Sequence, residues 1–134
     1  MHYSIRFPAT LEKANDAYNT VSEWLKKENC SQRTLTQVGI ALDEIVSNIV
    51  YYAYGPEGGE IEITLDVGPD SFEFHVIDEG VAFNPLTAKE PDVTLPAEER
   101  KIGGYGIFIV QTIMDDVRYR RDAIKNILSF KKKR

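Results

Sequence analysis

The chain has 134 residues, 43% of them hydrophobic and 28% charged, which is enough apolar material for one domain, residues 1–134, with its own buried core. Its net charge of −5 excludes loose electrostatic attraction to nucleic acid or to an anionic membrane surface, so any phosphate bound here must be held locally. Cys30 is the only cysteine, which excludes a disulfide framework and a cysteine-based metal site, and no run has the length of a secretion signal or a membrane span. The expectation is a cytoplasmic protein that engages neither nucleic acid nor membrane.

Tyr3, Ile5 and Phe7 alternate with polar residues and Pro8 closes the run, which predicts an opening half-buried strand. Thr10 is placed to cap a helix whose apolar positions are Leu11, Ala14, Tyr18, Val21 and Leu25. A second, longer helix is predicted from about Thr34 to Tyr54, with Gly55 and Pro56 ending it. Glu60 to Val67 alternates polar and apolar as a sheet with one wet face requires. Gly68-Pro69-Asp70 turns the chain, and Phe72, Phe74 and Val76 return it to Asp78-Glu79-Gly80. Asn84 to Lys101 holds three prolines and little periodicity, and reads as a long loop of the kind that forms a lid. Gly106 to about Met114 is the next helix, and Val117–Arg120 with Ile127–Phe130 makes a closing hairpin. Consecutive hairpins imply an α+β fold of two layers, a mixed, mostly antiparallel sheet with the helices on one face. The basic end, Lys131 to Arg134, reads as a solvated strand end, and His2 and His75 fall on strands in structural roles.

Three places carry chemistry. On the long helix, Leu35, Val38, Leu42, Ile45, Val46, Ile49 and Ala53 make the core stripe, and Glu44 and Asn48, four residues apart, lie together on nearly the opposite side with Tyr51 nearby. Taken alone that pair is compatible with a solvated face. Asp78 leaves an apolar strand, with Gly80 beside it to admit close approach; a carboxylate there accepts a hydrogen bond from an exocyclic amine, though Asp and Gly are also ordinary turn residues. Gly103, Gly104 and Gly106 crowd a helix entrance, where bare amides and the positive end of the helix dipole favour phosphate; close packing is the other reason for such a cluster. The cluster is neither a P-loop, since GxxxxGK[ST] is absent, nor a dinucleotide fingerprint, since no strand leads into it.

The order of these places, in "ALDEIVSNIVYYAYG", "VIDEGVAFNP" and "IGGYGIFIVQTIMDDVRY", resembles the ATP-binding fold shared by DNA gyrase, the ninety-kilodalton heat-shock chaperone, histidine kinases and mismatch-repair ATPases. Within it the chain is most similar to small bacterial anti-sigma factor serine/threonine kinases. That resemblance implies ATP and Mg2+ as cofactors, with Asn48 the magnesium ligand and Glu44 the general base for an attacking serine hydroxyl. It implies that Asp78 reads the adenine amino group, that Gly80 clears room for the ring, and that Gly103, Gly104 and Gly106 offer amides to the phosphates. It further implies an anti-anti-sigma protein and a sigma factor as partners, and relatives of this kind are often homodimers. The chain departs from the family's pattern where Ala82 and Tyr52 stand, and no threonine between Asn126 and Ser129 matches the one many relatives place near adenine. A non-catalytic, ATP-gated interaction module is the alternative reading. A histidine kinase catalytic domain fits less well, for no dimerisation helix with a phospho-acceptor histidine is present.

Overall fold

The structure, a computed structural model, describes residues 1–87 and 106–134; Gly103, Gly104 and most of the expected lid lie outside the described residues. Strand β1 (His2–Pro8) leads into helix α1 (Leu11–Lys27), and the Thr10 hydroxyl accepts the Lys13 amide at 3.2 Å as its cap. Helix α2 (Gln32–Asn48) starts two residues before the apolar periodicity does, because the Ser31 side chain caps it by accepting the Thr34 amide at 3.1 Å.

The long helix does not run unbroken to Tyr54. After Asn48 the backbone widens into a single π turn, Ile49–Ala53. The β-branched and aromatic residues there hold an α-helix weakly, and one carbonyl at the end of the turn is satisfied elsewhere: Ala53 O accepts the Val81 amide at 3.0 Å. The widened turn ties the helix end to the loop that leaves the strand ending at Asp78, and π turns of this sort concentrate at functional sites.

Strands β2 (Glu60–Val67) and β3 (Ser71–Asp78) form the expected hairpin. A short 3-10 turn, Pro85–Thr87, and helix α3 (Gly106–Ile113) follow, before the closing hairpin of β4 (Asp116–Asp122) and β5 (Lys125–Lys133). The strand order is β1-β2-β3-β5-β4, with every pairing antiparallel. Both strands of the closing hairpin run longer than apolar alternation alone predicts, since charged residues pair as well as apolar ones where one face of the sheet is open to water.

One face of the sheet carries the core. Ile61, Ile63 and Leu65 of β2 and Phe72, Phe74 and Val76 of β3 are buried against Val38, Leu42, Ile45 and Val46 of α2 and Val21 and Leu25 of α1. The Phe74 and Phe130 rings stack at 4.9 Å across the β3–β5 pairing. Burying each such side chain stabilises the fold by about 1.5–3 kcal/mol. The basic end of the chain is anchored rather than merely solvated: Lys132 Nζ donates to Ile113 O at 2.8 Å, where the dipole of α3 is negative, and the Arg134 guanidinium lies 4.9 Å over the Phe72 ring. Both histidines keep to the structural roles expected of them. His2 Nδ1 meets Asp66 Oδ1 at 2.6 Å, and His75 Nδ1 meets the Ser129 hydroxyl at 2.6 Å.

Candidate functional site

Strand parity decides what faces the helices at the end of the sheet. Counting by twos along β3, the inward series Phe72, Phe74, Val76 continues to Asp78, which is 5% exposed. On β5 the inward series Phe130, Leu128 ends at Asn126, 6% exposed, and the register sets Asn126 opposite Asp78. Two polar side chains therefore close the same end of an apolar layer. Buried polar groups must be hydrogen-bonded, and these two bond to each other: Asn126 Nδ2 donates to Asp78 Oδ1 at 3.0 Å.

Above them lies a cavity of about 290 Å³, at the lower end of the range for small-molecule sites. Ile45, Ile49, Val76, Ile107 and Leu128 form its apolar floor, and Tyr52, Ala53, Val81, Phe83 and Pro85 its rim. Tyr52, Val81 and Phe83 are large side chains left exposed, and all three stand on this rim. Four polar side chains enter it: Asn48, Asp78, Tyr119 and Asn126. The cavity thus unites Asn48 with Asp78, thirty positions apart in the chain.

Glu44 stands one helical turn before Asn48, half-buried, at the start of α3. A Cβ placed on Gly106 would lie 1.7 Å from Glu44 Oε2 and 2.4 Å from its Cδ, so the carboxylate rests directly against the glycine. Burial, and next the neighbouring charge of Asp43, pushes the Glu44 carboxyl up from its ordinary value. Gly106 is therefore the residue that makes room for Glu44 at the entrance of α3.

Gly80 also has a defined neighbour. A Cβ there would meet Ala53 O at 2.3 Å, and the same strap is fixed by the Gly80 amide donating to Asp78 Oδ1 at 2.8 Å. Its small size lets the end of β3 pack on the π turn, a requirement that holds with or without a ligand ring beside it. Tyr54 adds a second tie: its hydroxyl accepts the Glu79 amide at 2.8 Å and donates to Glu60 O at 2.5 Å.

Asn126, Tyr119 and Tyr54 did not stand out in the sequence. In the sequence Asn126 marks only a place where a threonine is missing, because its meaning lies in the β3–β5 register, a pairing of residues 48 positions apart. No group of three or more His, Cys, Asp or Glu side chains able to hold a metal is present among the described residues. A metal that needs an all-protein cage finds none there. A cation that takes most of its ligands from phosphate and water, as magnesium does, is compatible with the single amide oxygen of Asn48. No helix among the described residues is long and apolar enough to cross a membrane.

Comparison with known proteins bears on the fold and the family. The model of the histidine kinase-like ATPase domain matches residues 7–132. The serine-protein kinase RsbW of Listeria monocytogenes serovar 1/2a is 32% identical over 124 residues, which cover 89% of this chain and 79% of that protein. The serine-protein kinase RsbW of Bacillus cereus strain AH187 is 29% identical over 131 residues, covering 95% and 82%. The crystal structure of the RsbU and RsbW domains of Rv1364c from Mycobacterium tuberculosis shares the fold with a TM-score of 0.72 at 16% identity, over 98% of this chain and 31% of that longer one. The α+β fold and the protein-kinase class expected from the sequence both stand, and the chain belongs to the histidine kinase-like ATPase domain family, alongside the RsbW serine-protein kinases.

Proposed function

We propose that the protein binds ATP with Mg2+ in the cavity between α2, α3 and the sheet, and transfers the γ-phosphoryl group to a serine of an anti-anti-sigma protein. In the same partner-switching cycle it holds a sigma factor. The observation that carries the reading is the convergence of Asp78 and Asn48 on one apolar cavity, with Glu44 next to its α3 end.

In this reading the adenine ring lies on the floor formed by Val76 and Leu128 and donates its amino group to Asp78. The cavity volume suits the base and sugar, and the phosphates lead out past Asn48 toward the start of α3. There Gly103, Gly104 and Gly106 supply amides, and Asn48 offers its side-chain oxygen to the magnesium ion that accompanies the triphosphate. Phosphoryl transfer asks mainly for positioning and charge neutralisation, so one well-placed carboxylate, Glu44, is enough to accept the serine proton. A homodimer is the assembly that the resemblance implies for this protein.

The test mixes purified protein, labelled ATP, Mg2+ and the cognate antagonist. Transfer that is abolished in Glu44→Gln while ATP binding persists supports the reading. Tight ATP binding with no transfer to any partner from the parent protein refutes the kinase role and leaves a nucleotide-gated interaction module. Titration with Mg2+ alone should give no binding, since Asn48 by itself is too poor a site.

A further inference from the structure

Asn126 makes more side-chain hydrogen bonds than either predicted ligand residue around it. Its Nδ2 donates to Asp78 Oδ1 at 3.0 Å and to Val81 O at 2.8 Å, with Gly80 O at 3.5 Å beyond. Its Oδ1 accepts the Tyr119 hydroxyl at 2.5 Å and the Phe83 amide at 3.3 Å.

These partners remove the usual ambiguity of an asparagine amide. The Phe83 N–H is a donor only and the Val81 carbonyl an acceptor only, so turning the amide over would set donor against donor and acceptor against acceptor. The orientation is forced, and it has a consequence for Asp78. Oδ1 of that carboxylate receives two N–H donors, from Gly80 at 2.8 Å and from Asn126, and Oδ2 has no partner among the described residues. The cavity is thereby offered one fixed acceptor and no donor at this point. A purine with an amine at position 6 matches that pattern, and a purine with a carbonyl there places acceptor against acceptor. The same side chain also pins the strap from Gly80 to Phe83, whose Val81 and Phe83 side chains form the rim that would cover the base.

We infer that Asn126 is the positioning residue for base selection: locked by Tyr119 and Phe83, it fixes which Asp78 oxygen meets the ligand and sets the apolar rim above it. This rests on the reading of the cavity as an adenine-nucleotide site, and it assigns to Asn126 a role that the base itself does not require it to touch.

The experiment compares ATP with inosine triphosphate, which differs from ATP in carrying a carbonyl at position 6, by calorimetric titration of the parent protein, Asn126→Asp and Tyr119→Phe. Thermal melting of each serves as the control for folding. The parent should prefer ATP by at least about tenfold, the value of one well-made polar contact against a mismatched one. In Asn126→Asp two carboxyl groups meet and share a proton, so the acceptor is no longer fixed, and the preference should fall to within about twofold. Tyr119→Phe keeps the ring and removes only the hydroxyl that holds Asn126, and it should lose part of the preference with the melting temperature lowered by only a few degrees, well above the titration temperature. If both variants weaken the two nucleotides equally and keep the ratio, Asn126 is only a structural tie and the inference is wrong. If Asn126→Asp does not fold, Tyr119→Phe decides alone, and an unchanged ratio there overturns the inference. If the parent protein binds neither nucleotide, the proposed function itself fails and this inference with it.

Discussion

Gly106→Ala separates the position of Glu44, the proposed general base, from the stability of the fold. The new methyl carbon would stand 1.7 Å from Glu44 Oε2, 2.4 Å from Cδ and 3.1 Å from Cγ, whereas carbon and oxygen in ordinary contact stay beyond about 3 Å. The carboxylate must retreat by more than roughly 1 Å. It can do so cheaply, because every atom in the way belongs to the far end of a flexible, half-exposed side chain. Alanine at the first residue of α3 is also a better helix former than glycine, worth at most about 1 kcal/mol. The melting temperature should hold or rise slightly. Transfer should not survive as well, because a displacement of about 1 Å in a catalytic group costs on the order of a hundredfold in rate, near 2.7 kcal/mol of barrier. The assay is single-turnover transfer from labelled ATP, with calorimetric ATP affinity measured on the same sample; the Gly106 amide is retained, so affinity should change little. Because both substitutions act on one carboxylate, Gly106→Ala combined with Glu44→Gln should be no slower than Glu44→Gln alone. Parental transfer rates in Gly106→Ala, or losses that multiply in the double variant, would refute the placement of Glu44 as the base beside α3.

Glu44 also predicts a pH effect on stability, with the sign set by its raised carboxyl. The folded state holds that proton more tightly than the unfolded chain, so stability falls as pH rises from the ordinary carboxylate value, about 4.3, through the raised one, and stays lower above it. Glu44→Gln should therefore melt higher than the parent at pH 7 and coincide with it near pH 4; equal melting at both would show that burial does not penalise the charge. Burial first, and the Asp43 charge next, pushes the Tyr18 hydroxyl up to about 12, so stability should be lost between about pH 10 and 12 as it ionises, and Tyr18→Phe should flatten that loss in denaturation curves. An identical alkaline limb in the variant would contradict the assignment. Gly80→Ala should destabilise the fold by about 1–3 kcal/mol in urea unfolding, because its Cβ meets the Ala53 carbonyl oxygen at 2.3 Å and backbone cannot swing aside; parental stability would show that the π turn yields.

Much of this protein was legible in its amino-acid order alone. Period-two alternation in Glu60–Val67 and Ser71–Asp78, helical spacing from Leu11 to Leu25, and the Thr10 cap all act within a few residues, and each element formed where its pattern placed it. Glu44, Asn48, Asp78 and Gly106 were picked out for the same reason, since their spacing and neighbours are local, and the order of their motifs carried the family. What folding alone decided depends on residues distant in sequence. The helix gave way to a π turn at Ile49 because Val81, 28 positions beyond Ala53, supplies the hydrogen bond that the widened end needs. Asn126 gained its place from an antiparallel register that sets it against Asp78, and no local pattern records which strand will lie alongside another. Gly106, too, was singled out for its backbone amide, yet its tightest neighbour is a carboxylate on a different helix. Local chemistry wrote the elements and the kinds of side chain available; the pairing of strands and the packing of α3 on α2 determined which of those side chains meet.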